Sequence, residues 1–164
     1  MTDDGAVTTP REQAWSEDSP GTGRVVLVTR NPISEAMELI ASTTGRVVVL
    51  LGPDADGEGV AALEALALRE GDAVVLCDHD APDAPAALRL ALASAASYVA
   101  MMASRSRSAR LLAELSDEGV AGLDKLHVPA GLDTGGKAPG EIALSVVAEI
   151  VATAYGRSGG PMRA

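Results

Sequence analysis

The chain has 164 residues, and its 23 acidic against 13 basic side chains give a formal net charge of −10. This length fits one domain, and the acidic balance argues against DNA, RNA or an anionic membrane as the main partner. Cys77 is the only cysteine, which excludes an internal disulfide and favours a reducing cytoplasm, and neither a signal peptide nor an apolar run of membrane-spanning length is found.

The chain divides into a leader, a domain and a tail. Residues 1–23 are polar and acidic, which predicts a disordered leader with Trp15 as its one large apolar side chain. Short apolar runs and helical patterns alternate over 24–155, and we expect a flexible tail over 156–164. The apolar runs predict strands at 25–28, 47–51, 73–77, 98–102 and 126–128, and the periodic segments predict helices at 33–42, 58–69, 85–94, 106–115 and 142–154.

Continuous apolar strands that alternate with amphipathic helices are typical of a parallel sheet covered on both faces. Right-handed crossovers then predict a Rossmann-like, doubly wound α/β domain, with about five strands in a three-layer α/β/α arrangement. Ligands of such folds bind beyond the C-terminal ends of the strands. The loops to consider therefore follow Val28, Leu51, Cys77, Met102 and Val128.

The first of these loops, Thr29–Ser34, lacks the glycines that let a backbone approach a dinucleotide pyrophosphate, and Pro32 removes one amide donor. The acidic residue expected after the second strand falls on Gly52, with Asp54 close by. We interpret this region as a decayed nucleotide site. The alternative is a changed ligand, with a phosphate held by Arg30 at the helix N-terminus.

The loop after the third strand reads Cys77-Asp78-His79-Asp80 and contains three types of metal ligand. Adjacent residues of one loop rarely converge on one ion, so we predict no metal site. Asp80 is expected to cap a helix or contact a ligand, and His79 to line the site. Cys77 is expected to end a buried strand as a small hydrophobic residue.

The fourth loop carries Ser104, which can cap the next helix, followed by Arg105 and Arg107 in the first helical turn. Arginine is unfavourable at the positive end of a helix dipole, so this placement indicates an anion nearby. The alternative is a solvated basic face.

The fifth loop places Gly131, Gly135 and Gly136 beside Lys137, just before Pro139 opens a periodic helix. Glycine amides, a lysine and a helix N-terminus together predict an anion site. The segment nearly forms a phosphate-binding P-loop, but Ala138 stands where the magnesium-ligating hydroxyl is needed, so an NTPase is excluded. No nucleophile with a base and an orienting acid accompanies His79 or His127, so no catalytic residue is assigned and an enzyme is the less favoured interpretation. His127 is interpreted as a core or edge residue.

Several of these segments together resemble the C-terminal half of the XdhC/CoxI family, the accessory proteins of xanthine dehydrogenase and other molybdenum hydroxylases. The carrying residues are Gly131-Leu132-Asp133, Gly135, Lys137, Pro139 and Glu141-Ile142-Ala143, with weaker matches at His79-Asp80 and Ala103–Arg107. Thr29 and Asn31 stand where the family's first turn usually has two glycines.

The resemblance implies a Rossmann domain that handles the molybdenum cofactor: it binds molybdopterin, assists its sulfuration and delivers it to a hydroxylase. It also implies that Asp133 and Lys137 line the pocket. Full-length members usually carry a further N-terminal domain, so this chain resembles their C-terminal half standing alone.

Three hypotheses follow. The first is a non-catalytic accessory module that holds a phosphorylated pterin or a nucleotide with Arg105, Arg107 and the segment 131–137. The second is a small oxidoreductase that binds NAD(P) at Thr29–Ser34. The third is a structural module that forms a homodimer, through the helix at 142–154, or docks on a molybdenum hydroxylase subunit.

Overall fold

The computed structural model describes residues 23–52 and 58–163, with only the backbone of Glu58. The sheet has five parallel strands: β1 Val25–Val28, β2 Val48–Leu50, β3 Ala73–Leu76, β4 Tyr98–Met101 and β5 Leu126–His127. The helices are α1 Pro32–Thr43, α2 Glu58–Ala65, α3 Ala84–Ala93, α4 Arg105–Asp117 and α5 Pro139–Ala154, and a 3₁₀ turn spans Leu123–Lys125. The strand order is β2-β1-β3-β4-β5, which confirms the predicted α/β, Rossmann-like fold class.

Both faces of the sheet are buried, which explains why the strand sequences are apolar without alternation. Val25 and Leu27 of β1 face α1 and α5, whereas Val26 and Val28 face α2, α3 and α4. Helix α5 turns its apolar side, including Val146, towards the sheet and packs beside α1. The expected three layers are therefore present, with small aliphatic side chains filling both cores.

Helix α2 ends at Ala65, so the predicted helix to residue 69 was four residues too long. The reason lies in the buried carboxylate of Asp72, which accepts hydrogen bonds from the backbone N–H of Arg69 (3.0 Å) and of Arg24 (2.8 Å). The Arg24 guanidinium also donates to the Leu66 carbonyl (3.0 Å). These bonds hold the chain after α2 in a non-helical course, and Ala67 adopts a positive φ of 45° there.

The topological switch point lies between β1 and β3. The first crossover connects β1 to β2 on one side of β1, and the second brings the chain back to β3 on the other side. The loops after β1, β3, β4 and β5 meet at this C-terminal edge of the sheet. Residues 1–22, with Trp15, and the segment containing Asp54 lie outside the described residues. Within the described part of the chain, none of the helices has the length and apolar character needed to cross a bilayer.

Candidate functional site

The first loop uses its own side chains to satisfy the N-terminus of α1. Asn31 Oδ1 accepts from the backbone N–H groups of Ile33 and Ser34, both at 3.0 Å, and the Asn31 N–H donates to Ser34 Oγ at 2.8 Å. Pro32 has no N–H. The amides that would bind a pyrophosphate in a dinucleotide site are therefore occupied, and the Asn-x-x-Ser spacing was a capping-box signal that the sequence interpretation missed.

The other residues of this turn show a left-handed backbone conformation, an exposed ion pair and a contact with the third loop. Thr29 has a φ of 78°, a conformation that a β-branched residue rarely adopts. Arg30 is exposed and pairs with Glu35 at 3.5 Å. The amide of Asn31 donates to the Cys77 carbonyl (3.0 Å) and so joins the first loop to the third.

In the third loop, Cys77 is buried as expected, and burial raises the pKa of its thiol to about 12. Asp80 does not cap α3, so that part of the prediction was wrong: the N-cap position belongs to Asp83. Asp80 pairs instead with Arg107 at 2.5 Å, because α4 brings the guanidinium within its reach. The hydrogen bond from Arg107 holds the pKa of Asp80 below its usual value.

His79 lies between the third and fourth loops. Its Nδ1 is 2.7 Å from the Met102 carbonyl oxygen, so this nitrogen carries the proton, and its Nε2 is 3.3 Å from Asp80 Oδ2. Ligand atoms of Asp78, His79 and Asp80 lie within 4.8 Å of one another. Because Asp80 already binds a guanidinium, the positive charge of Arg107 opposes a cation at this cluster.

The N-terminus of α4 has its predicted cap: Ser104 Oγ accepts from the Arg107 N–H at 3.3 Å. Arg105 reaches the fifth loop and pairs with Asp133 at 3.2 Å, and both side chains are more than 80 % exposed. The structure thus joins four predicted site residues in two ion pairs across three loops. Each arginine that was expected to hold an external anion has a carboxylate of the chain beside it.

The fifth loop folds back on the N-terminus of α5. Gly131 has a φ of 100°, and a Cβ there would lie 2.5 Å from Ser145 Oγ, so only glycine fits. Gly135 also has a positive φ (76°), and a Cβ on Gly136 would lie 2.6 Å from the Cβ of Glu141. Close packing against α5 explains the glycines at 131 and 136.

The anion at this helix N-terminus is supplied by the chain itself. Glu141 Oε2 accepts from the backbone N–H groups of Ala138 (3.1 Å) and Lys137 (2.9 Å), and these bonds hold the pKa of Glu141 below its usual value. The Lys137 side chain is exposed and forms no hydrogen bond or salt bridge within residues 23–52 and 59–163.

A partly buried polar network that the sequence interpretation missed anchors the fifth loop. Glu149 Oε2 accepts from the Tyr98 hydroxyl (2.6 Å) and the Gly131 N–H (2.9 Å), and Glu149 Oε1 lies 3.3 Å from His127 Nδ1. The rings of His127 and Tyr98 stack at 4.3 Å. Burial acts to raise the pKa of Glu149, but the hydrogen bonds from His127, Tyr98 and Gly131 prevail and lower it.

Burial and the bond to Glu149 both raise the pKa of the Tyr98 phenol. His127, interpreted as a core or edge residue, lies on the edge strand β5, partly buried within this network. The signal available in the sequence was Glu149, a charged residue that directly precedes the buried Ile150 in an apolar helix.

A cavity of about 180 Å³ opens at the C-terminal edge between α3 and α4, and His79, Met101 and Arg107 line it. This volume is below the range of about 300–1,000 Å³ that is usual for small-molecule sites. It can enclose part of a ligand, such as a phosphate and an adjacent ring, but not a whole dinucleotide.

Comparison with known proteins gives one family and two relatives. The family model described as the XdhC Rossmann domain matches residues 25–150. An uncharacterized protein of Escherichia coli K12, YqeB, is 34 % identical over 104 residues, which are 62 % of this chain and 19 % of that protein.

A solved structure described as a xanthine dehydrogenase from Bacillus halodurans has a TM-score of 0.69 and 21 % identity, and it covers 84 % of this chain and 44 % of that one. At this identity the likeness establishes the fold. The chain spans less than half the length of either relative.

Proposed function

The chain belongs to the family of XdhC Rossmann domains, and from this premise we propose that it is a non-catalytic accessory domain for a molybdenum hydroxylase. Its ligand is a phosphorylated cofactor, the molybdopterin of such an enzyme or a nucleotide, bound at the C-terminal edge of the sheet. A cytoplasmic location follows from that role. The likeness to a Bacillus halodurans structure described as a xanthine dehydrogenase supports the link to this enzyme class.

The observation that carries the proposal is the pair of exposed arginines at the start of α4. Arg105 and Arg107 each face an exposed carboxylate from a different loop, and exposed ion pairs of this kind contribute little to stability. A phosphate offers three acceptor oxygens and up to two negative charges, and guanidinium groups bind it in bidentate fashion. Exchange of Asp133 and Asp80 for a phosphate therefore costs little and gains stronger bonds.

The capped first loop supports a ligand other than a dinucleotide. Asn31 occupies the amides of Ile33 and Ser34, so NAD(P) would have to break the cap before its pyrophosphate could bind. A helix cap is worth about 1 kcal/mol, and that cost falls on dinucleotide binding alone. We therefore rank the oxidoreductase hypothesis below the accessory domain.

Isothermal titration calorimetry on the full chain tests the proposal with three probes: molybdopterin released anaerobically from a molybdenum hydroxylase, GMP and NADH. We expect molybdopterin or GMP to bind and NADH to bind about fivefold more weakly, as the cost of breaking the cap predicts. The double variant R105Q/R107Q should lose binding of the preferred probe by about tenfold or more, since each charge-assisted bond is worth 1.5 kcal/mol or more by rough measure.

The control is R69Q, which removes one positive charge from an exposed side chain far from α4, so a general charge effect would give about half the loss in binding free energy of the double variant. Weakening of that size by R69Q would show a general charge effect and contradict the proposal. The absence of heat with all three probes would contradict it as well.

Self-association through α5 is a separate proposal that light scattering checks. The packing of α5 on the sheet leaves Leu144 (56 % exposed) as the apolar residue available for that contact.

A further inference from the structure

The opposite, N-terminal edge of the sheet carries a larger cavity, of about 500 Å³. Its walls are the first residues of three strands, Val25, Ala73 and Tyr98, and the last turns of α5, at Ile150 and Thr153. This volume falls within the range that is usual for small-molecule sites, and several of the wall residues are apolar.

Arg46 lines this cavity and is buried, with 8 % of its surface exposed. A guanidinium has five N–H donors. Only one of them has an acceptor among the described residues: Nη1 donates to Thr44 Oγ1 at 3.0 Å. Arg46 forms no salt bridge with any carboxylate of residues 23–52 and 59–163.

Its neighbour in the same cavity wall shows what a compensated arginine looks like here. Arg24 donates from Nη2 to Asp72 Oδ2 at 2.6 Å and from Nε to Asp72 Oδ1 at 3.2 Å, and its Nη1 binds the Leu66 carbonyl. The Asp72 carboxylate is fully buried, and the Arg24 side chain is 19 % exposed. Arg24 and Arg46 are both largely removed from solvent, and they differ chiefly in their partners.

An arginine cannot escape the cost of burial by losing its proton, because the guanidinium stays charged in proteins. The Arg46 N–H groups that have no acceptor among the described residues still reach solvent, so water in the cavity hydrates them and an anion can replace that water. The C-terminal end of α1 lies three residues before Arg46 and offsets at most about half an elementary charge. The greater part of the arginine charge faces the cavity, where Glu70 is the acidic residue of the wall but forms no salt bridge with Arg46.

We propose that this cavity is a second ligand site, which binds a small molecule through one phosphate or carboxylate group held by the Arg46 guanidinium. The apolar wall residues Val25, Ala73 and Ile150 cover the organic part of that molecule. Glu70 lines the same cavity and repels a second negative group. The site therefore selects a ligand with a single oxyanion, and it is separate from the proposed cofactor site at the other edge of the sheet.

The test titrates inorganic phosphate and, in a parallel arm, acetate into the ¹⁵N-labelled full chain at constant ionic strength, with chloride as the reference anion. We expect amide shifts at Val25, Ala73 and Thr153, and a binding constant about tenfold weaker in R46M, as the loss of a bidentate charged pair predicts. E70Q should bind the same anion more tightly. R110Q, which removes an exposed arginine of α4, should bind as the wild type does.

Stability in anion-free buffer supplies the second readout. If Arg46 is uncompensated, R46M melts at the same temperature as the wild type or higher, and phosphate raises the melting temperature of the wild type more than that of R46M, in which only the arginines of α4 remain to bind it. A clear loss of stability in R46M without added anion would show that Arg46 already has a carboxylate partner within the chain, and would overturn the proposal. The absence of phosphate and acetate shifts at the cavity would overturn it as well, as would a failure of R46M to fold.

Discussion

The arginines at the two edges of the sheet differ in their exposure and in their carboxylate partners. At the C-terminal edge, Arg105 and Arg107 are exposed and each has a carboxylate of another loop as its partner. At the N-terminal edge, Arg24 is paired with a fully buried carboxylate, and Arg46 is buried beside the larger cavity with no carboxylate partner among the described residues. The strongest unmet charge thus lies away from the edge at which the fold class usually binds ligands.

The difference shows that side chains of the protein that cap its own helices can occupy the ligand site that is usual for this fold. Helix N-termini at the C-terminal edge attract anions because their first amides are unpaired. Here Asn31 Oδ1 occupies those of α1, Glu141 Oε2 accepts from the backbone just before α5, and Ser104 caps α4. What remains for a ligand at this edge is Lys137, which forms no salt bridge within the described residues, and the arginines of α4, which must first release their own carboxylates.

The largest expected effect comes from the buried pair at the N-terminal edge. Asp72→Asn should lower the free energy of unfolding by about 3 kcal/mol, because it leaves the Arg24 guanidinium without its counter-charge in a buried place. Urea denaturation followed by circular dichroism measures this change. A loss below about 1 kcal/mol would mean that Arg24 is solvated, and the contrast with Arg46 would disappear.

The pH dependence of this loss follows from the pKa of Asp72. Burial acts to raise that pKa, but the hydrogen bonds and charge of Arg24 and the Arg69 amide prevail, so the folded value lies below the unfolded value of about 3.9. The carboxylate therefore stabilises the fold fully above pH ~5, and its contribution is lost as pH falls through the folded pKa. The difference between wild type and D72N should accordingly be constant near neutrality and shrink in acid.

Glu149 links the two edges, because it binds Tyr98 in the wall of the N-terminal cavity and Gly131 in the C-terminal loop. Glu149→Gln should lower the free energy of unfolding by about 2 kcal/mol, since hydrogen bonds to a charged acceptor are worth roughly 1.5–3 kcal/mol. Hydrogen exchange should show faster exchange at the Gly131 amide. E114Q, at an exposed site of α4, is the control and should leave that amide protected.

The sequence was sufficient for the sheet and its helices, because continuous apolar runs and helical periodicity report burial directly. It failed where a single long-range contact decides the local structure. The end of α2 depends on the pair of Asp72 and Arg24, which are distant from each other in the sequence. The partner of Asp80 is Arg107, in the first turn of α4. The burial of Arg46 could not be predicted either, because a single arginine before a strand is typical of a surface residue.

The cap of the first loop should have a smaller effect. Asn31→Ala is expected to lower the free energy of unfolding by about 1 kcal/mol, because it returns two amides of α1 to the unpaired state. The matched variant is D83A at the N-cap of α3, where the side chain makes no capping bond and Oδ2 is buried without a hydrogen-bond partner, so stability should not fall. A larger loss in D83A than in N31A would show that the caps of the two helices have been assigned the wrong way round.

The smallest effect is expected for the exposed pair of Arg107 and Asp80, and it is best measured as a pKa. The hydrogen bond from Arg107 is the main cause that lowers the pKa of Asp80, so R107Q should raise that pKa towards the ordinary value of about 3.9, as should 1 M salt. NMR titration of the Asp80 carboxyl carbon measures both. Because the pair is solvated, the melting temperature should not change. An unaltered pKa in R107Q would mean that Asp80 and Arg107 do not pair in solution, and the arginines of the C-terminal edge would then be as free for an anion as Arg46.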